Sequence, residues 1–159
     1  MTPGHAEADV WHQSTRLTNL ASGLDASIQG RCDNQPCING KGLALGRESG
    51  NIFGMVEVAG GRQIRWFGDW CLDVDGTTNG TPVVMHKCAD GATGQFWTPY
   101  VGYSPMDPYN AVEFVNVWSG KCMDARNPSV QKAPPAGAVL QIWDCNDAFA
   151  NNQRWIFHF

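Results

Sequence analysis

"CMDARNPSVQKAPPAGAVLQIWDCNDAFANNQRW", residues 122–155, reads C-x-D, a polar turn region, an apolar strand ending in Cys, a short loop and then Q-x-W. "CLDVDGTTNGTPVVMHKCADGATGQFW", residues 71–97, has the same parts in the same order. The cysteines lie 23 and 17 positions apart, the longer unit carrying an insertion rich in Pro and Ala. Such self-similarity means that one supersecondary unit is reused, and that each copy needs its neighbours to bury its apolar face. Within the first stretch, "QIWDCNDAFANNQRW" (141–155) mixes indoles with carboxamides. That combination suits a surface that is flat, apolar and hydrogen-bonding at once.

A third, eroded copy lies upstream. "NLASGLDA" (19–26) echoes "NVWSGKCMDA" (116–125) with two residues deleted, the cysteine among them, which makes Asp25 the expected counterpart of Asp124. No Q-x-W follows in this region. Three units of this size account for nearly the whole chain, with expected bounds of 14–61, 62–109 and 110–159 after an N-terminal extension, 1–13.

Composition agrees with a single domain of 159 residues, 43% hydrophobic and only 16% charged. No apolar run approaches the roughly 18 residues that span a bilayer, so membrane insertion is not expected. With a net charge of −4 and Lys and Arg scattered, nucleic acid is not an expected partner. Eighteen Gly and nine Pro interrupt every candidate helix. Short β-branched or aromatic runs between turn residues, such as "TPVVMHKC", predict an all-β sandwich or barrel.

Six cysteines, at 32, 37, 71, 88, 122 and 145, are even in number and lack the close C-x-x-C pairs or nearby His of a metal site. Disulfides and an oxidising, secreted or extracellular location follow, although fifteen connectivities remain open. The N-terminal "MTPGHAEADVWHQ" lacks the charged and apolar regions of a signal peptide, so the leader of a secreted form would already be absent.

The paired C-x-D…C…Q-x-W units resemble the ricin B-type lectin family, specifically over 62–159 and weakly over 14–61. The resemblance implies a β-trefoil of three pseudo-repeats, the first degenerate, with one shallow carbohydrate pocket possible in each. It also implies the bridges Cys71–Cys88 and Cys122–Cys145, leaving Cys32–Cys37.

A galactose site needs planar, bidentate partners for ring hydroxyls and an aromatic face for the C–H patch. By the family pattern, Asp124 takes paired hydroxyls, Trp143 is the platform, Gln141 completes the rim and Asn152 is a direct ligand. Gln153 holds Asp124 in place, and Trp155, like Trp97, belongs to the core. Strand alternation puts Gln141 and Trp143 on one face. The middle unit keeps Asp73 and Gln95 but has Val84 at the rim, His86 at the platform and Gly94 in place of the Asn. It is expected to be a weaker second site.

The expected function is carbohydrate binding, to galactose or N-acetylgalactosamine-type glycans or glycoproteins, without catalysis or cofactor and with the main site in the C-terminal repeat. The module could be fused to or associated with a toxin or glycosidase component. A rival class is a protein-binding trefoil such as a protease inhibitor, using the loop 125–138. "DVDG" (73–76) lacks the later ligands of a calcium loop, His5, His12 and His158 have no ligand spacing, and no metal is expected. "GRESG" supplies no nucleophile elbow. Asn79-Gly80 reads as a hairpin turn rather than a glycosylation site.

Overall fold

A computed structural model describes residues 10–30, 35–47, 51–101, 111–127, 132–146 and 151–157. The strands are β1 (Val10–Thr15), β2 (Leu17–Asn19), β3 (Asp25–Ile28), β4 (Leu43–Gly46), β5 (Phe53–Val58), β6 (Gly61–Trp66) and β7 (Trp70–Val74). They continue as β8 (Val83–Lys87), β9 (Trp97–Val101), β10 (Val112–Asn116), β11 (Cys122–Ala125), β12 (Leu140–Trp143) and β13 (Trp155–Phe157). Among the described residues there is no α-helix, only short 3-10 turns, which is the expected all-β class.

β1 and β2 act as one strand broken at Arg16. β1 pairs with β5 and β2 with β13, while β5 pairs with β6, β9 with β10 and β10 with β13. With β6 lying beside β9, these strands close a barrel. The hairpins β3–β4, β7–β8 and β11–β12 form its cap. Val10, Trp11 and His12 pair with Glu57, Val56 and Met55, so the end of the expected 1–13 extension is barrel strand. Residues 1–9 and His158 lie outside the described residues, as does part of the loop 125–138.

Three-fold closure is visible in the backbone. Leu45, Met85 and Ile142 each donate an N–H to the neighbouring hairpin, at Ala138, Lys41 and Thr81, over 2.8–2.9 Å. Each also accepts the next N–H back, from Gly137, Gly40 and Gly80 respectively. Those glycines all have positive φ, +88°, +81° and +92°, a conformation that side chains with a Cβ resist. The expected Asn79-Gly80 turn is one of the three.

The barrel and cap share one core, in which Leu17, Phe53, Ile64, Trp97, Phe114 and Trp155 are fully or almost fully buried. Trp97 and Trp155 are therefore core residues, and their indole N–H groups donate to the Leu72 and Met123 carbonyls at 3.0 and 3.1 Å. The bridges Cys71–Cys88 and Cys122–Cys145 are formed as the resemblance implies. Cys37 is also disulfide-bonded, whereas Cys32 lies outside the described residues.

The hydrogen bonds fix how the first repeat aligns with the third. The Asn19 side-chain oxygen accepts from the Ser22 N–H and hydroxyl, and Ser22 Oγ accepts from the Leu24 N–H. Asn116, Ser119 and Lys121 repeat this arrangement. The two turns are thus equivalent without a deletion. Pairing of Ala26 with Leu45, Leu72 with Met85 and Met123 with Ile142 extends the register.

The expected match of Asp25 to Asp124 is accordingly corrected. Asp25 occupies the place of Cys122, and Ser27 that of Asp124. Asp25 is buried, accepts from the Thr18 hydroxyl and lies 3.6 Å from the Arg16 guanidinium. It is a tie within the first hairpin where the other repeats carry cysteine.

Candidate functional site

Asp124 lies on β11 opposite Gln141 of β12. It is 4% exposed, and three carboxamides donate to its carboxylate among the described residues. Gln141 Nε2 donates to Oδ1 at 3.1 Å, while Asn152 Nδ2 and Gln153 Nε2 donate to Oδ2 at 3.1 and 2.9 Å. Gln153 is itself locked: Nε2 also donates to the Asp144 carbonyl, and Oε1 accepts from the Asn146 N–H, both at 2.9 Å. Asn152 is further tied to the Ala125 carbonyl at 3.2 Å. The arrangement holds a carboxylate in one orientation without a cation among these partners.

Two residues along β12 from Gln141, and hence on the same face, Trp143 is 42% exposed. Its Cζ3 is 3.8 Å from where a Cβ on Gly80 would stand. The adjoining Asp144 is gripped by Asn79 of the same turn: Asn79 Nδ2 donates to Asp144 Oδ2, and the Asp144 N–H donates to Asn79 Oδ1, each at 2.9 Å. Lys121 Nζ lies 3.1 Å from Asp144 Oδ1. The turn of the middle repeat thus supports the strand end that presents the indole. A carboxylate ringed by carboxamides can accept hydrogen bonds from hydroxyls and donate to them, and an exposed indole offers a face on which C–H groups can stack.

Burial pushes the Asp124 carboxyl above its usual 3.8, against the opposing pull of the Gln153, Gln141 and Asn152 amides. A carboxyl raised in the fold stabilises it below the unfolded value, and that contribution is lost as pH rises through the folded value. At neutral pH the protein therefore holds this carboxylate at a cost in stability. The exposed Asp144 is shifted the opposite way, lowered by the Asn79 amide and then by Lys121.

The middle repeat places Asp73, Val84 and His86 where Asp124, Gln141 and Trp143 stand. Gln95 repeats the role of Gln153, donating to Asp73 Oδ2 at 3.2 Å and to the Lys87 carbonyl at 2.9 Å, and accepting from the Ala89 N–H. Val84 has no donor to offer, and Asp73 Oδ1 instead takes the Val74 N–H at 2.7 Å. Both His86 ring nitrogens are engaged, Nδ1 with Asn39 and Nε2 with Asp75, at 2.9 Å. Burial, as the largest influence, raises the Asp73 carboxyl. One potential ligand atom from each of Asp73, Asp75 and His86 falls within 4.8 Å of the others. His86 meets the two aspartates of "DVDG" only through the β7–β8 pairing, a contact that the local pattern does not carry.

The first repeat offers Ser27 and Gly46 at the carboxylate and platform positions. It retains the frame, with Asn51 and Phe53 preceding and opening β5 as Gln95 and Trp97, or Gln153 and Trp155, do at β9 and β13. Asn51 Oδ1 accepts from the Ile28 N–H at 3.0 Å, and Phe53 is fully buried. The signal was present as N-x-F, a shorter amide and a smaller ring at the Q-x-W spacing.

No family model and no curated protein sequence matches the chain. Solved structures do match it. The designed three-fold symmetric protein ThreeFoil superposes with a TM-score of 0.71 at 19% identity, over 92% of this chain and 99% of that one. The chain folds as a β-trefoil. The hemolytic lectin CEL-III matches the trefoil at TM-score 0.65 and 18% identity, over 92% of this chain and 32% of that one. The exo-β-1,3-galactanase 1,3Gal43A from Clostridium thermocellum matches at 0.69 and 22%, over 91% and 30%. The trefoil thus spans about a third of those two longer proteins.

Proposed function

We propose that this trefoil is a non-catalytic carbohydrate-binding module whose principal site lies in the third repeat and takes galactose or N-acetylgalactosamine-type termini. The observation that carries the reading is the buried Asp124 carboxylate, fixed by three carboxamides, on the face that presents the half-exposed Trp143. In galactose the axial 4-hydroxyl lies beside the 3-hydroxyl, so one carboxylate can accept from both. The opposite ring face is then a C–H patch suited to the indole. Gln141 and Asn152 line the carboxylate and are the further hydroxyl partners, while Gln153 positions Asp124. A lectin and a galactanase among the structural neighbours support the reading, and the disulfides favour secretion. The hemolytic lectin and the galactanase, both about three times as long as the trefoil, also fit a role as an appendage of a toxin or glycosidase.

A monosaccharide should bind with a dissociation constant on the order of 0.1–1 mM, with avidity supplied by multivalency. Calorimetric titration with methyl β-galactoside tests the site. Trp143→Ala removes an exposed platform and leaves the core intact, so affinity should fall about tenfold or more with little loss of stability. Unchanged affinity would count against the site.

The pH dependence follows from the carboxylate. Hydroxyls donate to the ionised form, so binding weakens by up to about tenfold per pH unit once pH drops below the Asp124 value. Because that value is raised, the loss should begin above the usual aspartate range. A binding curve flat down to the ordinary aspartate value would contradict this role for Asp124.

A further inference from the structure

We propose that a small cavity beside the Cys71–Cys88 bridge is an acid-binding subsite, in which Arg65 and Lys87 take the carboxylate of a hexuronate. It shares no residue with the third-repeat site. The choice of a sugar acid over other carboxylates rests on the carbohydrate-binding reading above.

The cavity, of about 190 Å³, opens where the turn after β6 meets the end of β8, with Gln63, Arg65, Asp69, Lys87 and Asp90 in its lining. Its walls are tied to one another. The Cys88 N–H donates to the Asp69 carbonyl at 2.8 Å, and the Ala89 N–H to Gln95 Oε1 at 2.9 Å.

Arg65 is set in place by neutral oxygens alone. Gln63, 2% exposed, accepts from Nε at 3.0 Å and from Nη2 at 2.6 Å, and the Gly68 carbonyl accepts from Nη1 at 3.2 Å. Gln63 is fixed in turn, its Nε2 donating to Gln95 Oε1 at 3.4 Å. One N–H on each terminal nitrogen is left over. An oriented guanidinium with spare donors is suited to a carboxylate, whose charge and paired oxygens a hydroxyl cannot match.

The turn that supplies the Gly68 carbonyl is particular to this repeat. Pairing of Trp66 with Trp70 leaves three residues in it, whereas the Asn116 N–H bonds to the Lys121 carbonyl across four. It closes with Phe67 at φ +55° and Gly68 at +80°, the former a conformation that a bulky residue adopts only under constraint.

Charge separates this place from its counterpart in the third repeat. There Asp144, the residue before Cys145, pairs with Lys121, the residue before Cys122. Here the matching residues are Lys87 and Trp70, which lie opposite each other. Arg65 stands opposite Cys71, where Val115 stands opposite Cys122. Both cations are therefore additions of the middle repeat. Among the described residues neither forms an ion pair, and neither do Asp69 and Asp90. Two cations and two carboxylates repel a dianion such as phosphate as much as they attract it. A hexuronate can instead lay its single carboxylate on Arg65 and Lys87 and donate ring hydroxyls to Asp69 and Asp90.

The test is a titration of the folded protein with methyl β-glucuronide, following the backbone amide resonances of Gly68, Asp69 and Ala89 by NMR. Saturable shifts are expected, with binding at least about tenfold weaker for methyl β-glucoside, which lacks the carboxylate. Arg65→Lys keeps the charge and loses the fork, so it should weaken the glucuronide at least about tenfold. Lys87→Ala, at an exposed strand end, should weaken it about threefold. Glucuronide binding should persist in Trp143→Ala. Amides that stay still, that respond equally to the glucoside, or that keep their glucuronide affinity in either cation variant would overturn the subsite. So would tighter binding of inorganic phosphate at the same amides, or loss of the shifts in Trp143→Ala. Galactoside binding is read separately at the Trp143 indole, so silence there refutes the third-repeat site while saturable glucuronide shifts still support this one.

Discussion

Asp124→Ala should abolish galactoside binding at the third repeat and lower folding stability by about 2 kcal/mol. The binding loss has a simple origin: a hydroxyl hydrogen bond to a charged acceptor contributes roughly 1.5–3 kcal/mol. Losing a bidentate pair weakens affinity by more than about a hundredfold. The stability loss arises from the amides left behind. Asn152 and Gln153 keep second acceptors in the Ala125 and Asp144 carbonyls, but Gln141 is left without the acceptor it has in Asp124. Relief from holding a buried carboxylate partly offsets this, which keeps the net cost well below three full unsatisfied donors. Asp124→Asn is the sharper companion, because it keeps the volume while turning one acceptor into a donor among donors. Chemical denaturation together with calorimetry checks both variants. A stable Asp124→Ala protein with unaltered binding would remove Asp124 from the site.

The second large effect is expected from the disulfide beside the site. Cys122 and Cys145 close a loop with a sequence separation of 23, for which loop-closure entropy gives about 3 kcal/mol. Cys122 pairs in register with Trp143, and the Gln153 amide grips the backbone on both sides of Cys145, at Asp144 and Asn146. Replacing both cysteines by serine should therefore lower stability by roughly 2–5 kcal/mol and weaken sugar binding at temperatures where the fold persists. Guanidinium unfolding measures the first effect and calorimetry the second. A loss below about 1 kcal/mol would mean that the amide clamp, rather than the bridge, secures this loop.

The second and third repeats were legible because their key residues have no ready substitutes. A disulfide needs two cysteines, and the clamp needs a glutamine long enough to reach the carboxylate and two backbone groups together. The first repeat was harder to read because it fills the same places with other chemistry: Asp25 for cysteine, Ser27 for the aspartate, Gly46 for the platform, and Asn51 and Phe53 for glutamine and tryptophan. Matching Asp25 to Asp124 followed the identity of the letter. Register was carried instead by Asn19, Ser22 and Gly23, whose hydrogen bonds match those of Asn116, Ser119 and Gly120 without a gap.

Contacts between repeats left no trace in local sequence. Asn79 supports Asp144 across 65 positions, and Trp118 reaches Gly94 only because the barrel closes. The residues proposed for the third site could be read from spacing, but their support from the neighbouring repeat required the three-fold arrangement.

The central claim is most directly tested by a crystal structure with methyl β-galactoside at saturating concentration. The pyranose should lie flat on Trp143, with two vicinal hydroxyls on Asp124 and further hydrogen bonds from Asn152 or Gln141. An ordered sugar bound away from Asp124, or an empty third repeat at saturation, would contradict it.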